Sequence, residues 1–252
     1  MIDQYRQHGL FGQGPEWPDW CFLPAAGFGF IVCDALGEEA NEQSINRDMV
    51  ALGTLATWRY SQGVYRFDPD FMAELTGTPL LGKLPEHQFH RLPQWCVYIE
   101  TPEMDWFGEP LCGFWAHLNW NIETHATTLT FLFDAEKGSG MTLLDIGSWS
   151  IREGVQRAFG YTVEQYHRRN GPDLGEAGFD SEELAGALTP LVAMILYLCS
   201  DTPEIEHAHI PGLRPTRPHP KKTRHGWKLF PPAQVTVWKV GNKTGALLAS
   251  NV

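Results

Sequence analysis

The sequence predicts an α+β fold: an antiparallel sheet of about four to six strands packed with several helices. Three observations carry this. Hydrophobic residues make up 43% and aromatics 12% of the chain, enough for a large core. Four short β-rich runs follow one another in the middle, separated by Pro, Gly or Asn. Segments with helical spacing lie on both sides of them. At 252 residues the chain reads as a single domain over 1–252, with an irregular lead-in over 1–18 and a basic loop over 214–232.

The elements follow in order. GQGPEWPDW is rich in Pro, Gly and Trp and reads as irregular. CFLPAAGFGFIVCDAL is apolar all round, so periodicity leaves helix and strand open. SINRDMVALGTLATWRYSQG places Ile45, Met49, Leu52 and Ala56 at helical spacing, with Ser44 as N-cap and Gly63 past the end. FDPDFMAELTG reads as a short helix capped by Asp68 with Pro69 at its first position.

Next come LPQWCVYIETP, LCGFWAHLNWNI, ATTLTFLFDAE and MTLLDIG, an antiparallel meander. Alternation puts Trp95, Val97, Ile99, Phe114, Ala116, Leu118 and Trp120 on a core face. It puts Cys96, Tyr98, Glu100, Trp115, His117, Asn119 and Asn121 on a mixed polar–aromatic face. EKGSGM lies between two strand-like runs and reads as a hairpin turn. Ser150 with Glu153, and Asp180 with Glu183, stand at capping-box spacing before two further helices. The second of these contains Pro190, where a bend is expected. AQVTVWKVG alternates like a last strand that returns to the sheet.

Charge is unevenly placed. Residues 1–213 hold 11 Lys and Arg against 30 Asp and Glu, whereas residues 214–252 hold eight Lys and Arg and no acid. An acidic body is repelled by a phosphate backbone, so wrapping of nucleic acid is excluded for most of the chain. The segment RPHPKKTRHGWK could contact RNA or the ribosome through Lys221, Lys222 and Arg224, with Trp227 able to stack; it could equally lie on the acidic body as a leash, or be a surface loop with no task. We expect Arg217 to Trp227 to be an exposed loop, pinned by Trp227 at one end and by prolines at the other.

The five Cys show no C-x-x-C pair, which argues against a disulfide framework or a zinc ribbon. Cys21, Cys33, Cys96 and Cys199 sit in apolar runs and read as inert core thiols. No basic start followed by an apolar run marks a signal peptide. The apolar stretch Leu184 to Cys199 falls short of a membrane span. The expected location is the cytoplasm of a host bacterial cell, with no membrane partner.

The sequence carries no enzyme signature, so no catalytic residue and no cofactor are expected. Glu204, Glu206, His207 and His209 could converge on one ion, which leaves a metal-dependent hydrolase or nuclease as the alternative. A solvated polar turn is the blander reading of the same residues. Cys96 and His117 would face each other on paired strands, but the flanking Trp95 and Val97 favour a structural thiol. The polar–aromatic face points to a binding protein.

Read in order, LPQWCVYIETP, GFWAHL, LYLCS, PKKTRHGWKLFP and VWKVGxxxG resemble a family carried by phages and plasmids of proteobacteria. That family includes the type V-A anti-CRISPR inhibitor of effector nuclease biosynthesis. The resemblance spans roughly Pro18 to Leu248. It implies recognition of the nascent N-terminal peptide of a type V CRISPR effector, followed by loss of the message being translated. It assigns no binding residue. A concave or edge surface with aromatics would suit peptide reading, and Tyr98, Glu100, Trp115 and His117 are the candidates. A phage partner-binding protein without catalysis is the third possibility.

Overall fold

Thr101 and Pro102 end one β-rich run, and every strand after it pairs with a sequence neighbour until the helices return. The computed structural model of the chain describes residues 17–36, 42–80, 82–138, 140–168 and 180–250, with backbone only for 42–47 and 161–168. All but the last two residues of the expected lead-in over 1–18 lie outside the described residues. The elements are α1 (Ala25–Leu36), α2 (Glu42–Trp58), β1 (Gly63–Phe67), α3 (Pro69–Gly77), α4 (Glu86–Phe89), β2 (Cys96–Glu100), β3 (Asp105–Trp106), β4 (Glu109–Trp120), β5 (Thr127–Ala135) and β6 (Met141–Ile146). They continue with α5 (Ile151–Arg168), α6 (Ser181–Leu198), β7 (Ile205–His207), β8 (Lys221–Thr223), β9 (Gly226–Lys228), β10 (Thr236–Val240) and α7 (Asn242–Ala249).

The expected meander is present as β2, β4, β5 and β6. The sheet it belongs to is larger and mixed, which corrects the antiparallel expectation. Eight strands run in the order β6-β5-β4-β2-β1-β10-β7, with β3 beside β4. Strand β1 is parallel to both β2 and β10. The parallel pairings join strands far apart in sequence, and pattern within a segment carries no information on such pairing.

One face of the sheet is the main core. Val97, Ile99, Phe114, Ala116, Leu118, Phe131 and Phe133 are buried there against Leu188, Leu191, Val192 and Ile195 of α6. Helix α6 is apolar and long enough to cross a membrane by length and composition alone, longer than its sequence suggested. Eight of its residues are nevertheless buried in the core. It starts where the Asp180 carboxylate accepts from the amides of Glu182 and Glu183. Helix α5 opens on the expected capping box: Glu153 accepts from the Ser150 amide at 2.8 Å, and Ser150 Oγ accepts from the Glu153 amide at 3.3 Å. Asp68 caps α3, with Pro69 at its first position.

The opposite face carries α1 and α2. The undecided apolar run resolves as helix α1, long enough to bury Phe28 against Gly53 of α2. Helix α2 begins at Glu42, so Ser44 lies inside it and is no N-cap. It ends at Trp58, and Gly63 opens β1 instead of closing the helix. Gln62 takes the left-handed turn at φ 46°. Trp95 also departs from expectation. It is buried just before β2 and joins Phe22, Leu23, Phe28 and Leu229 in a second cluster, not the main core. A residue outside the ladder is not held to its alternation. Trp120 is half-buried at the far end of β4 and stacks on His125.

Candidate functional site

Gly113 shows how the polar–aromatic face is organised. It lies in β4 between Glu100 of β2 and Asp134 of β5. A Cβ at this position would stand 2.5 Å from Tyr98 Oη and 2.6 Å from Ile99 O. With no side chain there, the Tyr98 ring crosses β4, and its hydroxyl donates to Asp134 Oδ2 at 2.8 Å. Burial, then the Asp134 carboxylate, push the Tyr98 phenol up, so it remains a protonated donor.

The rings build a shelf beside this bridge. Tyr98 and Trp115 are register partners with centroids 4.6 Å apart. Trp58, the last residue of α2, meets Trp115 edge-on at 6.1 Å and Tyr98 at 6.4 Å. Its indole is fixed by donation to Gly63 O at 2.9 Å. Among the described residues, no helix continues over this face past the end of α2. Tyr98, Trp115, Glu100 and Asp134 are half-buried there, and Arg66 of β1 is exposed. Arg66 grips Glu100 through both carboxylate oxygens, at 2.5 and 2.8 Å. Rings, two carboxylates and one guanidinium thus meet at an open edge of the helix cover.

His117 belongs to the covered end of the same face. It is 2% exposed and its Nδ1 lies 3.2 Å from Thr54 Oγ1 of α2. Burial lowers its pKa to about 4, so the imidazole is neutral near pH 7. Cys96 is its register partner, as expected. Burial pushes the Cys96 thiol up and its Sγ points toward Val97 O at 3.8 Å. A neutral thiol beside a neutral imidazole is a structural pair. Tyr98, Glu100 and Trp115 are therefore brought together at the surface, and His117 is held beneath the helix. Among the other thiols, Cys21 and Cys199 are buried, whereas Cys33 and Cys112 are exposed. The exposure of Cys33 corrects its reading as a core thiol: α1 is apolar all round, but only one side of it meets α2.

The residues of the alternative metal reading are engaged with protein groups. Glu204 accepts from the Lys243 and Thr244 amides at the start of α7. Glu206 pairs with Lys243 Nζ at 2.5 Å. His207 Nδ1 accepts from the amides of His209 and Ile210. Among the described residues no group of three or more His, Cys, Asp or Glu is placed to hold a metal.

The basic segment is more ordered than a loop. Strands β8 and β9 form a two-stranded hairpin with Lys222 opposite Trp227 and Lys221 opposite Lys228. Lys221, Lys222 and Arg224 are exposed. Trp227 is 56% exposed. The outgoing root is held by two arginines. Arg214 donates to Ile205 O, and Arg217 donates to His90 O and to Leu92 O. The returning end is held by Leu229, buried in the second cluster.

Arg66, Gly113, Asp134 and Trp58 were not singled out from sequence. A lone glycine inside a strand run, as in LCGFW, was the available signal for Gly113. The other three depend on pairing and on where α2 ends.

The fold is α+β, with a ring-and-carboxylate face beside the end of α2 and an exposed basic hairpin. Residues 65–252 match the AcrVA2-like family, anti-CRISPR type V subtype A2, and the chain belongs to that family. The crystal structure of AcrVA2 superposes with a TM-score of 0.67 at 19% identity, covering 99% of this chain and 80% of that one, so the two share a fold. Among curated proteins no match is found.

Proposed function

We propose that this chain is a type V-A anti-CRISPR regulator that binds the nascent N-terminal peptide of the effector nuclease and lowers its production through loss of the translated message. The carrying observation is the shelf left open where α2 ends. A peptide reader needs exposed rings for apolar side chains and fixed polar groups for register. Tyr98 and Trp115 offer the rings, Glu100 and Asp134 the carboxylates. Arg66 holds Glu100 and Tyr98 holds Asp134 in place, which limits the ordering cost of binding. The acidic body favours a peptide with basic residues. The expected site of action is the host cytoplasm, where the effector is translated.

A translational reporter tests this. The N-terminal coding segment of a type V-A effector is fused to a fluorescent protein and co-expressed with the chain. Reporter protein and message should both fall. A version with compensating frameshifts, which keeps the RNA nearly unchanged and alters the peptide, should be spared. Equal loss from the frameshifted reporter would show that the peptide is not what is read.

A further inference from the structure

The eight cations of residues 214–252 divide by position into two groups. Arg214 and Arg217 are bound to backbone carbonyls at the root of the hairpin. Lys243 is paired with Glu206, and Lys239 lies in β10. Lys221, Lys222, Arg224 and Lys228 remain, all on the β8–β9 hairpin or its turn. Among the described residues none of these four lies within ion-pair distance of a carboxylate, whereas Arg66, Arg91, Lys137, Arg152, Arg217 and Lys243 each do. Its turn is closed by Thr223 Oγ1, which donates to Gly226 O at 2.7 Å. Two aromatics are exposed along it, Trp227 at 56% and Phe230 at 52%.

We infer that this hairpin is a binding arm for unpaired RNA. Cations spaced along a two-stranded ribbon neutralise successive phosphates, and exposed rings stack with bases that have no partner strand. The cross-strand pairing of Lys222 with Trp227 puts a cation and a ring on the same side of the ribbon. A duplex offers no free base to the ring, and its wider charged surface meets the acidic body. The inference rests on the proposed function only for the choice of RNA over DNA.

The test is fluorescence anisotropy with a labelled oligouridylate, with an RNA duplex and polyglutamate as comparators. Four phosphate contacts on a single strand give a slope of about −3 in log K against log salt, so a fourfold rise in salt should weaken binding by roughly fiftyfold. The triple variant Lys221→Ala, Lys222→Ala, Arg224→Ala should reduce that slope by about two. Trp227→Ala should keep the slope and lose at least about fivefold in affinity, with Trp227→Phe recovering part of it. Circular dichroism should show every variant folded. Tighter binding of the duplex or of polyglutamate than of the oligouridylate, or no difference between wild type and the triple variant, would overturn the inference. Peptide binding is read in the same preparations, so loss of the RNA reading with peptide binding intact leaves the proposed function standing.

Discussion

Substituting Gly113→Ala is the sharpest way to perturb the shelf without touching a surface group. The new Cβ would meet three atoms at 2.5–2.6 Å: Tyr98 Oη, Tyr98 Cζ and Ile99 O. The tyrosine ring can swing away. The Ile99 carbonyl is part of the neighbouring strand and can yield only if β2 and β4 spread. Overpacking of this kind costs about 1–3 kcal/mol. Swinging Tyr98 out also breaks its bond to Asp134, a further ~1 kcal/mol at a half-buried site. The expected loss is about 2–4 kcal/mol, read as a lower urea midpoint by tryptophan fluorescence with an unchanged slope. Tyr98→Phe alone should cost about 1 kcal/mol, because only the hydroxyl is removed. In the Gly113→Ala background the same change should cost clearly less, since the bond is already gone. If Gly113→Ala stays within about 0.5 kcal/mol of wild type, or if the two changes simply add, the steric account of the Tyr98 bridge is wrong.

Further predictions follow from burial. His117 is neutral in both folded and unfolded chains above about pH 6.5. Below that the unfolded chain takes up a proton, while the folded one resists until about pH 4. Stability should therefore fall with pH across this window, by up to about 3 kcal/mol more in wild type than in His117→Gln. Urea titrations of the pair at pH 7 and pH 4.5 check it. With a thiol reagent at neutral pH, Cys33 and Cys112 should react readily, and Cys21, Cys96 and Cys199 should react only on unfolding. Burial pushes the Cys199 thiol up to about 12, which keeps it unreactive. Asp180→Ala should cost about 1 kcal/mol through loss of the α6 cap, seen as a lower thermal midpoint.

Local features were readable in the sequence, and long-range ones were not. The β2 and β4 faces, the Asp68 and Asp180 caps and the Ser150–Glu153 box each depend on residues a few positions apart, and each is present. Ser44 failed as a cap because good helix formers precede it, and a helix runs on until its amides find another partner. The parallel pairs around β1 join Gly63–Phe67 to Cys96–Glu100 and to Thr236–Val240, beyond any local pattern. The same split runs through the site. Tyr98, Glu100 and Trp115 came from alternation, whereas Asp134 and Arg66 reach them only through strand pairing. Charge marks the basic segment in the sequence, but its anchors, Arg217 on His90 and Leu92 and Leu229 in the second cluster, are contacts across more than a hundred residues of sequence.

The most direct measurement of the central claim is a calorimetric titration of the purified chain with a synthetic peptide carrying the N-terminal segment of a type V-A effector nuclease. Wild type should bind it saturably and a scrambled peptide should not bind. Trp115→Ala and Glu100→Gln, each confirmed as folded, should weaken the interaction tenfold or more, roughly 1.4 kcal/mol, as loss of a central ring or a fixed polar contact does at a small interface. Absence of binding by wild type, or equal binding of the scrambled peptide, or undiminished binding by both variants, would contradict the reading of this face as a peptide site.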